Sequence, residues 1–367
     1  MVTYYQPMRC FLSILLCFCA SVATAQAKEF WFPSVSSSDR DGAAVVTIYS
    51  SMDIAVARQL IAVFQDAFRD TAVVYHDLQT IDLYERIVRE SQAGKTADLT
   101  LSSAMDLQMK LANDGYALSW ETEQARQLPQ WASWRNEVFG VTFEPAVMVY
   151  NKLFFRKRPH PRNRAELIDL LSNRDPEIFG RVSTYDAERS GLGFLFLSRD
   201  IQHDRNIWQI YRLLGDNGAK LYSTSQAIID RVARGRLALG YNLLGSYAAA
   251  HAARDNRIGI VWPSDFTVIM SRVALIPRAA ASAQMGKRFL RFMLSTRGQS
   301  IISGPMHMNA LASSQTRKAL KSQVQVSENL RPIRVGPGLL AYLDQAKRRR
   351  ILKQWNAALA GGKLSGE

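Results

Sequence analysis

The chain has 367 residues, 47% of them hydrophobic and 21% charged, which fits a globular protein of one large or two ordinary domains and excludes a disordered or fibrous chain. Its formal net charge of +14 invites a nucleic-acid partner, yet the basic residues are spread along the chain and the one dense run is Lys347 to Arg350. Net charge alone identifies no ligand, so a basic surface with no nucleic-acid partner is expected.

Arg9 precedes an apolar run, Cys10 to Val22, and the small residues Ala23-Thr24-Ala25 and Ala25-Gln26-Ala27 follow. A basic start, a short apolar stretch and a small-residue cleavage site predict an export signal over residues 1–27, cut after Ala25 or Ala27. The run is too short for a comfortable transmembrane helix. Cys10, Cys17 and Cys19 all lie inside it, so the exported chain is expected to carry no disulfide, thiol nucleophile or cysteine metal site. Leu16 and Phe18 stand where lipid attachment wants a small residue, which predicts a soluble periplasmic protein and not a lipoprotein.

Residues 28–42 are polar and read as a loose lead-in. Val45 to Tyr49 reads as a buried strand, Ser50, Ser51 and Asp53 as helix caps, and Ile54 to Phe68 as a helix by its apolar spacing. Ala72 to Tyr75 and Ala97 to Leu101 are two further strands. Asp82 and Glu85 sit like an acidic capping box before a helix through Ile87 and Val88, and Ser102-Ser103 precede a helix ending near Gly115. Three β-α units in succession predict a parallel sheet covered on both faces.

Gly140 to Lys152, G-V-T-F-E-P-A-V-M-V-Y-N-K, is the stretch between two such blocks. Pro145 cannot donate to a ladder and argues against one continuous central strand, so a bend is expected, with Phe143 to Val149 as a hinge. The second block reads as a helix from Arg164 to Leu171, a strand from Phe179 to Ser183, and a helix opened by Ser190-Gly191-Leu192-Gly193. A helix from Arg205 to Leu214 follows, then one capped by Thr224 or Ser225, a strand from Leu237 to Tyr241, a helix from Leu244 to Ala253 and a strand from Arg257 to Val261. Thr267 to Ile276 reads as a second crossing strand, Gln284 to Leu294 and Thr296 to Ile302 as helices. Pro332 to Gly338 is a linker to an amphipathic helix, Leu339 to Leu359, expected to dock on the first lobe. The expected fold class is α/β, with two Rossmann-like lobes joined by two crossing hinge strands. Residues 43–143 and 272–335 would form lobe 1, residues 144–271 lobe 2, and residues 336–367 a C-terminal helical extension.

Enzyme signals are weak. The histidines (His76, His160, His203, His251 and His307) are dispersed, with no H-E-x-x-H, nucleophile elbow or Walker loop. No catalytic residue, metal site or cofactor is expected. A strand, a Ser/Thr turn and a helix instead recur at Ser50-Ser51, Ser102-Ser103, Ser183-Thr184 and Ser190-Gly191. Each turn taken singly is an ordinary cap. Four of them on two lobes facing one cleft predict a small-molecule anion, because helix N-termini present free N–H groups and ligands bind beyond the carboxyl ends of the strands.

The most specific stretch is G-Y-N-L-L-G-S-Y, Gly240 to Tyr247. Together with V-T-I-Y-S-S, A-D-L-T-L-S-S, E-P-A-V-M-V-Y-N-K and S-G-L-G, in that order, it resembles the periplasmic solute-binding proteins of ABC importers, from roughly Val45 to Ser303. The likeness is to the branch of ferric-iron binders and their phosphate- or phosphonate-binding relatives. It implies a type II periplasmic binding fold that closes on a ligand and delivers it to an inner-membrane permease. Ferric binders of that branch use adjacent tyrosines with a histidine and a glutamate. Here Asn242 follows Tyr241, Met52 or Asp53 falls where the histidine would, and Ser103 where the glutamate would. Too few hard anionic oxygens remain for ferric iron, although Tyr247 and Asp53 keep it open, and the replacements suit a phosphorylated or phosphonate solute. The expected ligand contacts are Ser50, Ser51, Ser102, Ser103, Ser183, Ser190, Gly191, Tyr241 and Asn242. Ferric transport, a ligand-sensing subunit presenting to a membrane histidine kinase, and an exported enzyme on the same fold stand as alternatives.

Overall fold

The computed structural model describes residues 28–36, 44–311 and 329–361. The expected export signal lies outside them. The chain opens with β1 (Lys28–Phe32), β2 (Ala44–Ser50), α1 (Ile54–Ala67), β3 (Thr71–Asp77), α2 (Thr80–Gln92), β4 (Leu99–Ser102) and α3 (Met105–Asn113). The short pieces α4 (Glu123–Arg126), β5 (Ser133–Trp134) and β6 (Val138–Gly140) lead into β7 (Thr142–Asn151). Next come α5 (Arg164–Ser172), β8 (Val182–Tyr185), α6 (Gly191–His203), α7 (Ile207–Asp216), β9 (Lys220–Tyr222), α8 (Ser225–Ala233), β10 (Leu239–Leu244), α9 (Gly245–Ala252) and β11 (Ile258–Val261). The chain then runs through β12 (Thr267–Met270), β13 (Val273–Leu275), α10 (Ala283–Leu294), α11 (Thr296–Ser303) and β14 (Asn309–Ala310). β15 (Leu330–Pro332) and α12 (Gln345–Ala360) are its last elements.

Two sheets make two lobes. The first has the order β1-β3-β2-β4-β13-β6-β5, the second β15-β12-β7-β10-β8-β9, with β11 and β14 also paired to β7. β2 runs parallel to both β3 and β4, so each link needs a crossover, and α1 and α2 supply them. α1 buries Ala57, Leu60, Ile61 and Phe64, one helical stripe, and Phe64 meets Phe289 of α10 with ring centres 4.6 Å apart. Burying that stripe is what holds the helix on the sheet, since a large apolar side chain is stabilised by roughly 1.5–3 kcal/mol when fully buried.

Several sequence expectations need correction. Lys28 to Phe32 is not loose but an edge strand antiparallel to β3, with Phe30 opposite Tyr75 and both Phe30 and Phe32 packed on the core. α2 begins at Thr80 after Gln79, so Asp82 lies inside its first turn and does not cap it. β7 runs unbroken through Pro145. It can do so because its neighbours change there: Thr142 to Pro145 face β14 and β12, while Ala146 to Asn151 face β10 and β11. The chain crosses between sheets upstream of the expected hinge, at Val141, and again at Ser271-Arg272, which split the second crossing into β12 and β13. The two crossings are tied together: Val141 N–H donates to Ser271 Oγ (3.1 Å) and Arg272 N–H to Thr142 Oγ1 (2.8 Å).

The terminal helix also docks elsewhere than expected. α12 lies along α7 of the second lobe, burying Ile351, Trp355 and Ala358. The approach is close enough that a Cβ on Gly215 would stand 2.3 Å from the Leu359 carbonyl oxygen, so only glycine fits. Asp344 caps this helix, accepting from Lys347 N–H at 2.9 Å.

Where α3 of the first lobe meets α6 of the second, Asp106 is only 2% exposed. Burial pushes its carboxyl from 3.8 up to about 6, against the pull of the Leu107 N–H and Arg199. A folded-state pKa above the unfolded one gives stability that is whole below about pH 4 and lost as pH rises through about 6. Two pKa units correspond to about 3 kcal/mol. Asp106→Asn, which mimics the neutral acid, is therefore expected to raise stability by up to about 3 kcal/mol at pH 8 and to change little at pH 4. Urea unfolding at both pH values checks this.

Candidate functional site

Six helix N-termini meet in the cleft between the lobes. Asp53 stands at the start of α1, Gln79 of α2, Ser190 of α6, Thr224 of α8 and Leu244 of α9, and Ser103 lies just ahead of α3; all six line the cleft. The arrangement follows from the parallel strands, which all release the chain at the same sheet edge. The inner space is small, about 50 Å³. Leu78, Gln79 and Ser223 border both it and a vestibule of about 980 Å³ at the mouth of the cleft.

Hydroxyls dominate the inner wall. Ser51 Oγ accepts from Ser103 N–H at 3.0 Å and lies 3.3 Å from Ser103 Oγ. Ser190 Oγ accepts from Gly193 N–H (3.1 Å) and Thr224 Oγ1 from Ala227 N–H (3.3 Å), two ordinary caps facing the ligand space. Tyr247 Oη accepts from Asp53 N–H at 3.2 Å, and the Tyr185 hydroxyl is bonded to Ser225 Oγ, which accepts from Leu244 N–H at 3.0 Å. Burial holds both phenols well above their ordinary pKa, so they stay protonated.

One buried cation lines the same wall. Arg272, 1% exposed, donates from Nε to Glu144 Oε1 at 3.0 Å, and its guanidinium carbon lies 5.4 Å from the Tyr247 ring centre. Burial opposes its charge, but Glu144, Tyr247 and Asp53 outweigh that and hold it above the ordinary guanidinium value. Glu144 is fully buried and accepts further from Thr142 Oγ1 (2.7 Å) and the Ser246 hydroxyl.

Of the nine expected contacts, Ser51, Ser103 and Ser190 line this cleft. Ser50 and Ser102 are turned back to cap the turns, accepting from Met52 N–H (3.0 Å) and Ala104 N–H (3.2 Å). Ser183 donates to the Lys220 carbonyl at 2.8 Å within the sheet. Gly191 is not on the wall; its N–H donates at 3.0 Å to Thr80 Oγ1 on the other lobe. Tyr241 and Asn242 are buried behind the cleft, where the Tyr241 hydroxyl donates to Asp200 (2.8 Å) and accepts from Arg164 Nε (2.9 Å), and the Asn242 amide donates to Asp200. The register of β10 shifts between Gly240 and Leu243, and Asn242 takes φ +61°, which aims both residues away from the cleft. Sequence reading missed Arg272, Tyr185, Thr80 and Ser225. Arg272 left a signal as the one charged residue in the run Thr267 to Ile276, and Ser225 as a candidate helix cap.

Among the described residues no three His, Cys, Asp or Glu side chains gather as a metal site, and no helix is long and apolar enough to cross a membrane. Residues 59–322 match the family described as bacterial extracellular solute-binding protein. None of the curated proteins matches the chain. The substrate-binding protein of an ABC transporter from Agrobacterium tumefaciens is similar at 45% identity, over 92% of this chain and 100% of that one, with a TM-score of 0.86. Two remoter structures share the fold. The periplasmic binding protein AfuA from Actinobacillus pleuropneumoniae, with fructose-6-phosphate bound, is 15% identical over 86% of this chain and 98% of that one, TM-score 0.69. Iron-bound HitA from Pseudomonas aeruginosa is 17% identical over 86% and 99%, TM-score 0.66.

Proposed function

The chain belongs to the bacterial extracellular solute-binding protein family, as the substrate-binding component of an ABC transporter, and on that premise we propose that its solute is a small anion with a phosphate or phosphonate head. The observation that carries this reading is the convergence of six helix N-termini on a space that Arg272 also lines. The aligned dipoles of these helices favour an oxyanion there, and protonated hydroxyls can donate to it without a metal. A space of about 50 Å³ suits a head of a few heavy atoms, and the vestibule takes the rest of the solute. Asp53 and Asp77 share the rim, but Asp77 is engaged by the Ile54 N–H at 3.1 Å and Asp53 acts on Arg272. Closure of the lobes on the solute is a population shift, and the closed form is what a membrane permease would receive.

A thermal-shift panel on the metal-stripped chain tests the reading, with sugar phosphates, phosphoglycerates, phosphonates, inorganic phosphate, dicarboxylates and ferric citrate. A solute at 100 times its dissociation constant should stabilise by about 2.7 kcal/mol. The expected result is a phosphorylated or phosphonate hit whose affinity falls at least about tenfold in Ser103→Ala with Ser190→Ala, since each lost hydrogen bond to a charged group removes roughly 1.5–3 kcal/mol. A shift with ferric citrate alone, with a tyrosinate-to-iron colour band, would replace this reading with ferric binding.

A further inference from the structure

We infer that the protein has a second small-oxyanion site, outside the cleft, held by Arg199 of α6 and Arg334 of the segment that follows β15. The two arginines line a cavity of about 380 Å³ together with Ser133 and Trp134 of β5 and the chain from Val335 to Gly338. None of these residues borders the inter-lobe cleft, so the two sites are separate.

Arg199 is the built part. It is 9% exposed, its Nε is buried with no hydrogen-bond partner among the described residues, and its Nη1 donates to Gln202 Oε1 at 2.8 Å. Burial pushes its guanidinium below the ordinary value, with Asp106 and Tyr342 pulling the other way. A buried cation with an unmade hydrogen bond is strongly unfavourable unless something completes it. Arg334 is exposed, but its place is fixed by neighbours whose amides are pinned: Ile333 N–H to the Ile269 carbonyl (2.8 Å) and Val335 N–H to the Trp131 carbonyl (2.7 Å). Two guanidinium forks on one cavity match the oxygens of a phosphate or a carboxylate, the chemistry for which arginine is best suited. The site also draws on both lobes, since β5 belongs to the first sheet and α6 follows β8 of the second.

Equilibrium dialysis of the full chain, purified without phosphate or sulfate, against labelled inorganic phosphate and in a second arm labelled succinate, tests the site. The expected result is saturable binding of at least one probe that persists in the cleft variant Ser103→Ala with Ser190→Ala. That binding should weaken at least about tenfold in Arg334→Ala at an unchanged thermal midpoint, the loss of one charge-assisted pair. Arg199→Lys, which keeps the charge but not the fork, should weaken it as well. No saturable binding of either probe at millimolar concentration would overturn the inference. So would binding that Arg334→Ala leaves intact, or binding that the cleft variant abolishes.

Discussion

Arg272→Leu is expected to lose more than about 100-fold in affinity for the phosphorylated or phosphonate solute and about 3–5 kcal/mol in stability. The two losses have different causes. Stability falls because Glu144, fully buried, is left without the guanidinium that donates to it at 3.0 Å. Affinity falls because the buried cation on the cleft wall is gone, and an interaction worth about 2.8 kcal/mol is a hundredfold in binding. Adding Glu144→Gln separates them. The second change removes the stranded charge, so Arg272→Leu with Glu144→Gln should recover most of the stability and none of the affinity. Urea unfolding and isothermal titration with the same solute give both readouts. If the double variant binds like the unaltered chain, Arg272 is a hinge strut and no ligand group.

Much of this fold can be read locally. The V-T-I-Y-S-S and A-D-L-T-L-S-S runs show a buried strand, a polar turn and a helix start in seven residues or fewer, and β2, α1, β4 and α3 stand where those patterns put them. Ser51, Ser103 and Ser190 reach the cleft for the same reason: each sits where a strand gives way to a helix at the common edge. Contacts made over long separations are another matter. Arg272 and Glu144 are 128 positions apart, and nothing near either one announces the other. The amphipathic stripe of α12 shows that the helix must dock but not on which lobe; a bare Gly215 on α7 decides it. Tyr241 and Asn242 were misplaced by a backbone irregularity. The bulge between Gly240 and Leu243, where Asn242 takes φ +61°, breaks the alternation of faces and lets both neighbouring side chains reach Asp200. Lys28 to Phe32 failed for a related reason, because a five-residue edge strand beside a polar tract carries almost no periodic signal.

The fate of Tyr241 and Asn242 leads to the second large effect, at Asp200. This carboxylate is fully buried and is shared by Arg164 Nη2 (3.1 Å), the Tyr241 hydroxyl (2.8 Å) and the Asn242 amide. Arg164 is itself 2% exposed, donating also to Asp265 (3.1 Å) and the Phe266 carbonyl (2.8 Å). Asp200→Ala strands one buried cation and two buried donors at once, and is expected to destabilise by about 3–5 kcal/mol. At about 1–2 °C per kcal/mol for a chain this long, the thermal midpoint should fall by on the order of 5 °C. Asp265, partly exposed, limits the damage by keeping one carboxylate on Arg164. Tyr241→Phe removes only one hydroxyl and should cost about 1–2 kcal/mol. Its affinity for the solute should not change, because the ring lies in the second lobe's core and not on the cleft wall. A Tyr241→Phe chain that keeps its stability but loses the solute would return this tyrosine to the binding site and require the lobes to close in a different register.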